Sequence, residues 1–165
     1  MGDTHLTFEE LSTLFAQIEA ILNSRPLTPL SPSPNDYNAL TPGHFLLGRP
    51  LTSLPGPSLL DDNMKRLHRY NLLEHLRQHF WKRWQAEYVA ELQQRVKWRI
   101  RQADLKTGDL VVLKEDNLPP LMWRMGRVEA TYPGTDGVPR VADIRTSKGV
   151  TRRALNKICI LVEES

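Results

Sequence analysis

Aromatic and cationic side chains stand next to one another in the middle of the chain, in the run Phe80-Trp81-Lys82-Arg83-Trp84. A second group follows shortly after and consists of Arg95, Lys97, Trp98, Arg99 and Arg101. Lysine and arginine neutralise phosphates, and exposed aromatic rings stack on nucleic-acid bases. The chemistry that these residues offer is binding of a polyanion, with nucleic acid as the first candidate.

The distribution of charge favours the same chemistry. Residues 65–101 contain ten Lys and Arg against three Glu, a net charge of +7, whereas residues 1–64 carry −5 and residues 102–165 carry +1. A basic block between an acidic front and a nearly neutral tail is typical of a chain with a polyanionic partner. A solvated helix with a basic excess remains the alternative.

Helical spacing separates the aromatic residues into two groups. Phe80 and Trp84 fall on the apolar stripe of the predicted helix and should pack, so Trp81 and Trp98 are the better candidates for exposure. The C-terminal region adds a second basic set: Arg124, Arg127, Arg140, Arg145, Lys148, Arg152 and Arg153. The predicted nucleic-acid-binding residues are Lys82, Arg83, Arg95, Lys97, Trp98, Arg99, Arg101, Arg124 and Arg127.

Catalytic and metal-binding patterns are weak in this sequence. His75 and His79 are four residues apart, as in zinc pairs, but no glutamate lies between them and Arg77 disfavours a cation there. We interpret both as ordinary histidines on a helix surface. No nucleophile-and-base set or glycine-rich phosphate loop has a recognisable context, so we predict no metal and no cofactor.

The single cysteine and the hydropathy pattern indicate the compartment. Cys159 lies in the apolar run Ile158–Val162, so we expect a buried strand residue and no disulfide. That run is far shorter than the ~20 residues that span a bilayer. The start of the chain lacks a basic segment followed by an apolar one, so we expect no signal peptide and no membrane association. We expect the nucleus or the cytoplasm.

An amphipathic helix is predicted at Phe8–Asn23, where Thr7 and Glu10 form a capping box and Pro26 ends the helix. Its apolar stripe includes Phe8, Leu11, Phe15, Ile18 and Leu22. Such a stripe needs a partner, either the front of a larger domain or another chain, and residues 1–60 would otherwise be poorly ordered. A proline-rich loop follows, with a short helix that Thr41 caps and Pro42 begins.

A long helix is predicted from Met64 to about Trp98, capped by Asp61 and Asp62, with Asn71 as a point where it could break. Its expected apolar stripe is Leu73, Leu76, Phe80, Trp84, Tyr88, Leu92 and Val96. Five strands are then predicted at Gly108–Lys114, Trp123–Tyr132, Arg140–Thr146, Val150–Ala154 and Lys157–Val162. Five short strands in so few residues indicate a small SH3-like β-barrel.

Several motifs in fixed order carry a family resemblance. They are Asn23-Ser24-Arg25-Pro26, Leu40-Thr41-Pro42-Gly43-His44-Phe45-Leu46 with Gly48-Arg49-Pro50-Leu51, Phe80-Trp81 with Arg83-Trp84, Gly108-Asp109-Leu110-Val111, Leu118-Pro119-Pro120 and Trp123 with Gly126-Arg127-Val128. Taken together they resemble the integrase region of Pao/BEL-type retrotransposon polyproteins, including the uncharacterised C-terminal domain of those polyproteins. The resemblance runs from about Leu6 to Val162.

This resemblance implies an α+β chain in three parts. Residues 1–60 would be the orphan tail of an RNase H-like core with its proline-rich loop. Residues 61–101 would be a basic helical linker, and residues 102–165 an SH3-like C-terminal domain. The catalytic Asp, Asp and Glu of the family precede this segment, and Glu9, Glu10 and Glu19 do not match them. The expectation is therefore a non-catalytic fragment that binds DNA through its backbone, with weak sequence selectivity.

A second function remains open. SH3-like barrels also bind peptides or chromatin proteins through aromatic cages, and Trp123 and Tyr132 are candidate cage members. A cage usually needs a third aromatic ring, which the C-terminal region lacks. Partner candidates are therefore DNA, an integrase core or a second copy reached through the Phe8–Leu22 stripe, and a peptide.

Overall fold

A computed structural model of the chain describes residues 5–52, 56–62, 68–99, 105–115, 118–135, 137 and 139–161, with backbone alone at 95–99. These residues form three α-helices and seven β-strands, so the predicted mixture of helices and strands is confirmed. None of the described helices has the length and apolar character that crossing a bilayer requires.

Helix α1 covers Phe8–Asn23, as predicted. Its capping box is present, because the Glu10 amide donates to Thr7 Oγ1 at 3.3 Å and the Thr7 amide donates to Glu10 Oε2 at 2.8 Å. Leu14 and Ile21 are buried, and the helix packs on the third helix of the chain. The expectation that α1 has no core to receive it is therefore wrong for this side of the helix.

The other part of α1 remains uncovered in the structure. Phe8 is 80% exposed and Phe15 is 59% exposed, and Leu11 is also exposed. Ile18 and Leu22, nearer the C-terminal end, are half-buried. The predicted stripe is therefore divided into a packed end and an exposed end.

The proline-rich segment folds around one short helix, α2, Pro42–Leu47. Thr41 precedes it as expected, and its amide donates to His44 Nδ1 at 3.0 Å. Gly48 ends the helix in the left-handed region with φ 69°, which glycine adopts without a Cβ clash. Two short strands pair antiparallel before it: β1, Thr28–Pro29, and β2, Ala39–Leu40.

Helix α3 covers Arg69–Arg99 without a break at Asn71. Asp61 and Asp62 do not cap it, because the helix begins after His68, which is not helical. The predicted start at Met64 lies outside the described residues. The buried face also differs from the predicted stripe: it consists of Leu72, His75, Gln78, Trp81, Gln85, Val89 and Leu92. The apolar spacing predicted the wrong face here because three polar side chains belong to the packed face.

Five further strands occupy the predicted positions and form one antiparallel sheet. They are β3 (Leu110–Leu113), β4 (Met125–Pro133), β5 (Pro139–Thr146), β6 (Gly149–Ala154) and β7 (Ile158–Ile160). Their order is β6-β5-β4-β3-β7, with a 3₁₀ turn, Leu155–Lys157, before the last strand. Among the described pairings, β6 and β7 are not joined, so the sheet is open and the expected barrel closure is not shown.

Both faces of the sheet are covered, and this explains why all four residues of β3 are buried. Leu110 and Val112 pack with Val89 and Leu92 of α3 on one face. The other face holds a second cluster: Val111, Leu113, Val128, Ala142, Ile144 and Ile158. Cys159 is buried as predicted, and burial raises the pKa of its thiol to about 12.

Candidate nucleic-acid interface

Lys82 and Arg83 lie side by side on the exposed side of α3. Arg83 Nε donates to Glu87 Oε1 at 2.8 Å, and both side chains are mostly exposed. An ion pair at this exposure is weak and screened by salt, so it can be exchanged for a phosphate. Lys82 has no acidic partner within 4 Å among the described residues.

Further predicted binding residues lie at the C-terminal end of α3 and just after it. Arg95, Lys97, Trp98 and Arg99 belong to its last turns. Their side chains, and all of Arg101, lie outside the described residues. Their predicted role in binding stays a prediction.

Arg124 lies in a small cluster of charges beside the sheet. Its Nε is 3.9 Å from Glu115 Oε1, and Arg153 Nη2 donates to the same oxygen at 3.1 Å. One carboxylate thus faces two guanidinium groups, which leaves one positive charge in excess. Arg124 and Arg153 remain candidates for contact with an anion.

Arg127, by contrast, is 7% exposed, although we expected it in the binding set. It donates to three backbone carbonyls: Ser31 O at 2.6 Å, Gly108 O at 2.7 Å and Asp36 O at 2.9 Å. The sheet and the loop after α1 are joined through this side chain. Its donors are committed within the protein, so we leave it out of the proposed surface.

The outer arginines of the sheet are neutralised locally. Arg152 makes two hydrogen bonds to the Asp143 carboxylate, at 2.7 and 2.9 Å, and Arg145 pairs with Glu129. The hydrogen bonds from Arg152 and then from the Tyr132 hydroxyl lower the pKa of Asp143 to about 2. The Arg152 guanidinium also lies 4.5 Å above the centre of the Tyr132 ring. The second basic set therefore presents less free charge than its sequence indicates.

Four aromatic residues form a packed cluster where α3, the segment before β4 and the C-terminal end of α1 meet. Trp123 lies edge-on to Trp81, Trp84 and Tyr88, with ring centres 5.0, 5.8 and 5.6 Å away. The expectation that Trp81 is exposed is wrong: it is 2% exposed, and its Nε1 donates to Leu118 O at 2.7 Å. Trp98 lies outside the residues with described side chains.

The cluster also holds the end of α1. Trp123 Nε1 donates to Ser24 Oγ at 3.2 Å, and the Tyr88 hydroxyl donates to Pro26 O at 2.6 Å. Buried indole and phenol groups need such partners. The Asn-Ser-Arg-Pro motif therefore provides the partners that hold the helical end against the aromatic cluster.

Polar residues on the buried face of α3 hold the loop before it. The Leu59 amide donates to Gln78 Oε1 at 2.8 Å, and Gln78 Nε2 donates to Pro57 O at 2.8 Å. His75 is buried, with Nδ1 2.5 Å from Leu59 O, so it is not the surface histidine that we expected. Polar residues at helical spacing within an otherwise apolar face are the signal that could have indicated this loop contact.

No group of three or more His, Cys, Asp or Glu residues able to hold a metal occurs in the described part of the chain. His75 and His79 have ring centres 4.3 Å apart, but each approaches a loop carbonyl, Leu59 O and Leu60 O. Glu10 serves the cap of α1 and pairs with Arg69, which lowers the pKa of the Glu10 carboxyl.

Comparison with known proteins defines a family for most of this architecture. A family model described as a family of unknown function (DUF5641) matches residues 68–161, more than half of the chain. The chain belongs to this family. No curated protein and no solved structure matches the chain.

The DUF5641 region begins one residue before α3 and ends one residue after β7. It therefore contains the helix, the five-stranded sheet and all four members of the aromatic cluster. Ser24 and Pro26 lie outside the DUF5641 region and contact it through Trp123 and Tyr88.

Proposed function

We propose that the chain is a non-catalytic part of a Pao/BEL-type retrotransposon integrase and that it contributes DNA binding to integration. Membership of DUF5641 accounts for residues 68–161, and the Asn-Ser-Arg-Pro and Leu-Thr-Pro-Gly-His motifs extend the resemblance in front of them. The packing of Ser24 and Pro26 on the aromatic cluster supports treating both parts as one functional unit. Such a protein would act in the nucleus or the cytoplasm.

The observation that carries the proposal is the excess of positive charge in residues 65–101. On the sheet, Arg145 and Arg152 are paired with carboxylates. On α3, Arg69, Arg77 and Arg83 are paired with glutamates, and Lys82 lacks a described acidic partner. Residues 65–101 nevertheless carry ten Lys and Arg against three Glu, and such a basic stretch is the electrostatic footprint of nucleic-acid binding. The proposed binding residues are therefore Lys82, Arg83, Arg95, Lys97, Trp98, Arg99, Arg101 and Arg124.

We infer an SH3-like architecture for the sheet. The strand order, with the first strand beside the last, and the 3₁₀ turn before the last strand both support it. The pairing of β4 with β5 shifts register between Val128 and Ala130, and such irregularities bend a sheet towards closure.

The exposed end of α1 supports an association surface. Phe8, Leu11 and Phe15 are exposed, and a contiguous apolar surface on a helix is typical of a protein contact. We propose that these residues, with the half-buried Ile18 and Leu22, contact an integrase core.

The salt dependence of DNA binding tests the proposal. With roughly 4–6 phosphate contacts, the logarithm of the binding constant should fall against the logarithm of salt concentration with a slope of about −4 to −5. Replacing Lys97, Arg99 and Arg101 by Ala should weaken binding to unrelated duplexes equally and flatten the slope by about 1 per lost contact. Fluorescence anisotropy with two duplexes of different sequence measures both effects.

A matched control variant removes three positive charges from residues outside α3. Lys106, Lys148 and Lys157 are exposed and lie outside α3, so replacing them by Ala should leave the slope nearly unchanged. Equal losses of DNA affinity in the two triple variants would show that the interface does not lie on α3. A parent chain that does not bind DNA at low salt would overturn the proposal.

The alternative function, a peptide-binding aromatic cage, has less support. Tyr132 is covered by Arg152, and Trp123 is packed among the rings of α3. A cage needs ring faces that are open to a cation.

A further inference from the structure

A cleft of about 160 Å³ lies between α3, the loop that follows β3 and the segment 56–60 before α3. Trp81, Val89 and Leu118 contribute to its apolar walls, together with Pro119 and Pro120. Its polar side chains come from Ser58, Glu74, Gln78, Lys82, Gln85, Lys114 and Glu115. Apolar walls with a few polar groups are typical of a ligand site.

Two glutamines on the same side of α3 line this cleft and differ in their hydrogen bonding. Gln78 is 7% exposed and fully engaged, since it bonds Leu59, Pro57 and Glu74. Gln85, two turns later, is 8% exposed, and its amide has no hydrogen bond to any of the described residues. Gln85 lines the cleft and its amide is not among the solvent-inaccessible polar groups, so the amide is open to a molecule that enters the cleft. The Gln85 amide is therefore the polar group that a ligand would meet.

The charges around the cleft favour an anion. Glu74 is paired with Arg77, and Glu115 lies between Arg124 and Arg153. Lys82 and Lys114 line the cleft without an acidic partner within 4 Å in the described part of the chain. The carboxylates of Glu74 and Glu115 are thus neutralised by three arginines. Lys82 and Lys114 therefore remain available to bind a phosphate or a carboxylate.

We propose that this cleft binds one unpaired nucleotide of a nucleic-acid strand, with its base against Gln85 and its phosphate between Lys82 and Lys114. The inference rests on the proposed function and deepens it. An amide offers a donor beside an acceptor, which matches the edge of a base, and the apolar walls match its faces. A cavity of about 150 Å³ holds a benzene ring, so the cleft suits a single base and is too small for a duplex.

The test compares a blunt duplex with the same duplex carrying a four-nucleotide unpaired overhang. We expect the full-length chain to bind the overhang duplex about tenfold more tightly, the size of one good base contact. Gln85→Leu should abolish this preference and leave affinity for the blunt duplex within about twofold. Lys114→Ala should likewise reduce binding of the overhang duplex.

Gln94→Leu is the matched control, because Gln94 lies on the same helix, is exposed and is outside the cleft. It should leave both affinities unchanged. Gln85→Leu should not lower the stability of the fold, since it replaces an amide that makes no described hydrogen bond with an apolar side chain of similar size. A loss of the overhang preference together with unfolding would indicate a structural role and overturn the assignment.

The two proposals fail in different ways. Equal affinity of the parent chain for blunt and overhang duplexes would overturn the nucleotide cleft and leave duplex binding intact. Absence of binding to both would overturn the cleft and the proposed function together. An acidic peptide that binds in a Gln85-dependent manner, without any overhang preference, would assign the cleft to a protein partner.

Discussion

Arg127 donates to the backbone carbonyl of Ser31 at 2.6 Å, although the two residues are 96 positions apart. With its further bonds to Asp36 and Gly108, this side chain connects the loop after α1 to the sheet. The motif of Trp123 with Gly126-Arg127-Val128 therefore has a structural explanation. Trp123 bonds Ser24, Gly126 faces β5, Arg127 holds the loop, and Val128 fills the core.

Replacing Arg127 by Met should destabilise the fold. Three hydrogen bonds from a buried cation are lost and three carbonyls lose their donor, so the free energy of unfolding should fall by about 2–4 kcal/mol. Urea denaturation measures this, with the exposed Lys148→Met as control. DNA affinity of the folded variant should change less than about twofold, and a tenfold loss would return Arg127 to the binding surface.

Replacing Gly126 by Ala should also be destabilising. A Cβ at this position would lie 2.6 Å from Arg145 O and 2.5 Å from Ile144 Cγ2, so β4 and β5 would have to separate. We expect a loss of about 1–3 kcal/mol in the free energy of unfolding. Gly56→Ala is the control, because nothing lies within 4 Å of a Cβ there. Equal stability of the two variants would show that the strands adjust at no cost.

The parts of the fold that local chemistry specifies could be predicted from the sequence. The bounds of α1, the cap of α2 and all five strands of the sheet follow from capping residues, prolines, glycines and alternation. The buried face of α3 did not follow, because His75, Gln78 and Gln85 are polar and their burial depends on a loop contact and a cleft. The burial of Arg127 did not follow either, because its partners are distant in sequence.

The ion pair between Asp143 and Arg152 should make the free energy of unfolding depend on pH in the acidic range. The pKa of Asp143 is lowered to about 2 by Arg152 and Tyr132, so the unfolded chain takes up this proton at a higher pH than the folded chain. The stabilisation is present above about pH 4 and is lost as pH falls towards 2. Asp143→Asn should therefore be less stable than the parent at pH 7, and the difference should shrink between pH 4 and pH 2 in urea titrations. A difference that stays constant over this range would exclude the pair as its source.

The chain should neither cleave nor join DNA in a metal-dependent reaction. Two-metal chemistry needs clustered acidic ligands, and the catalytic carboxylates of the family are expected before this segment. Incubation of supercoiled plasmid with the protein and Mg²⁺ should give no nicked product. If nicking occurs, three variants locate its source: Glu9→Gln, Glu10→Gln and Glu19→Gln. A variant that loses the nicking would assign catalysis to the replaced residue. Nicking that survives in all three variants would point to other carboxylates.

Strand β6 is an outer strand of the sheet in the described order, and it carries Arg152 and Arg153 on opposite faces. An edge strand offers free backbone groups that a second chain can pair with, and charged side chains there oppose such pairing. We therefore expect the two arginines to oppose aggregation through this edge. Exchanging Arg153 for an uncharged β-branched residue would leave the sheet paired as before and lower the concentration at which the protein stays soluble.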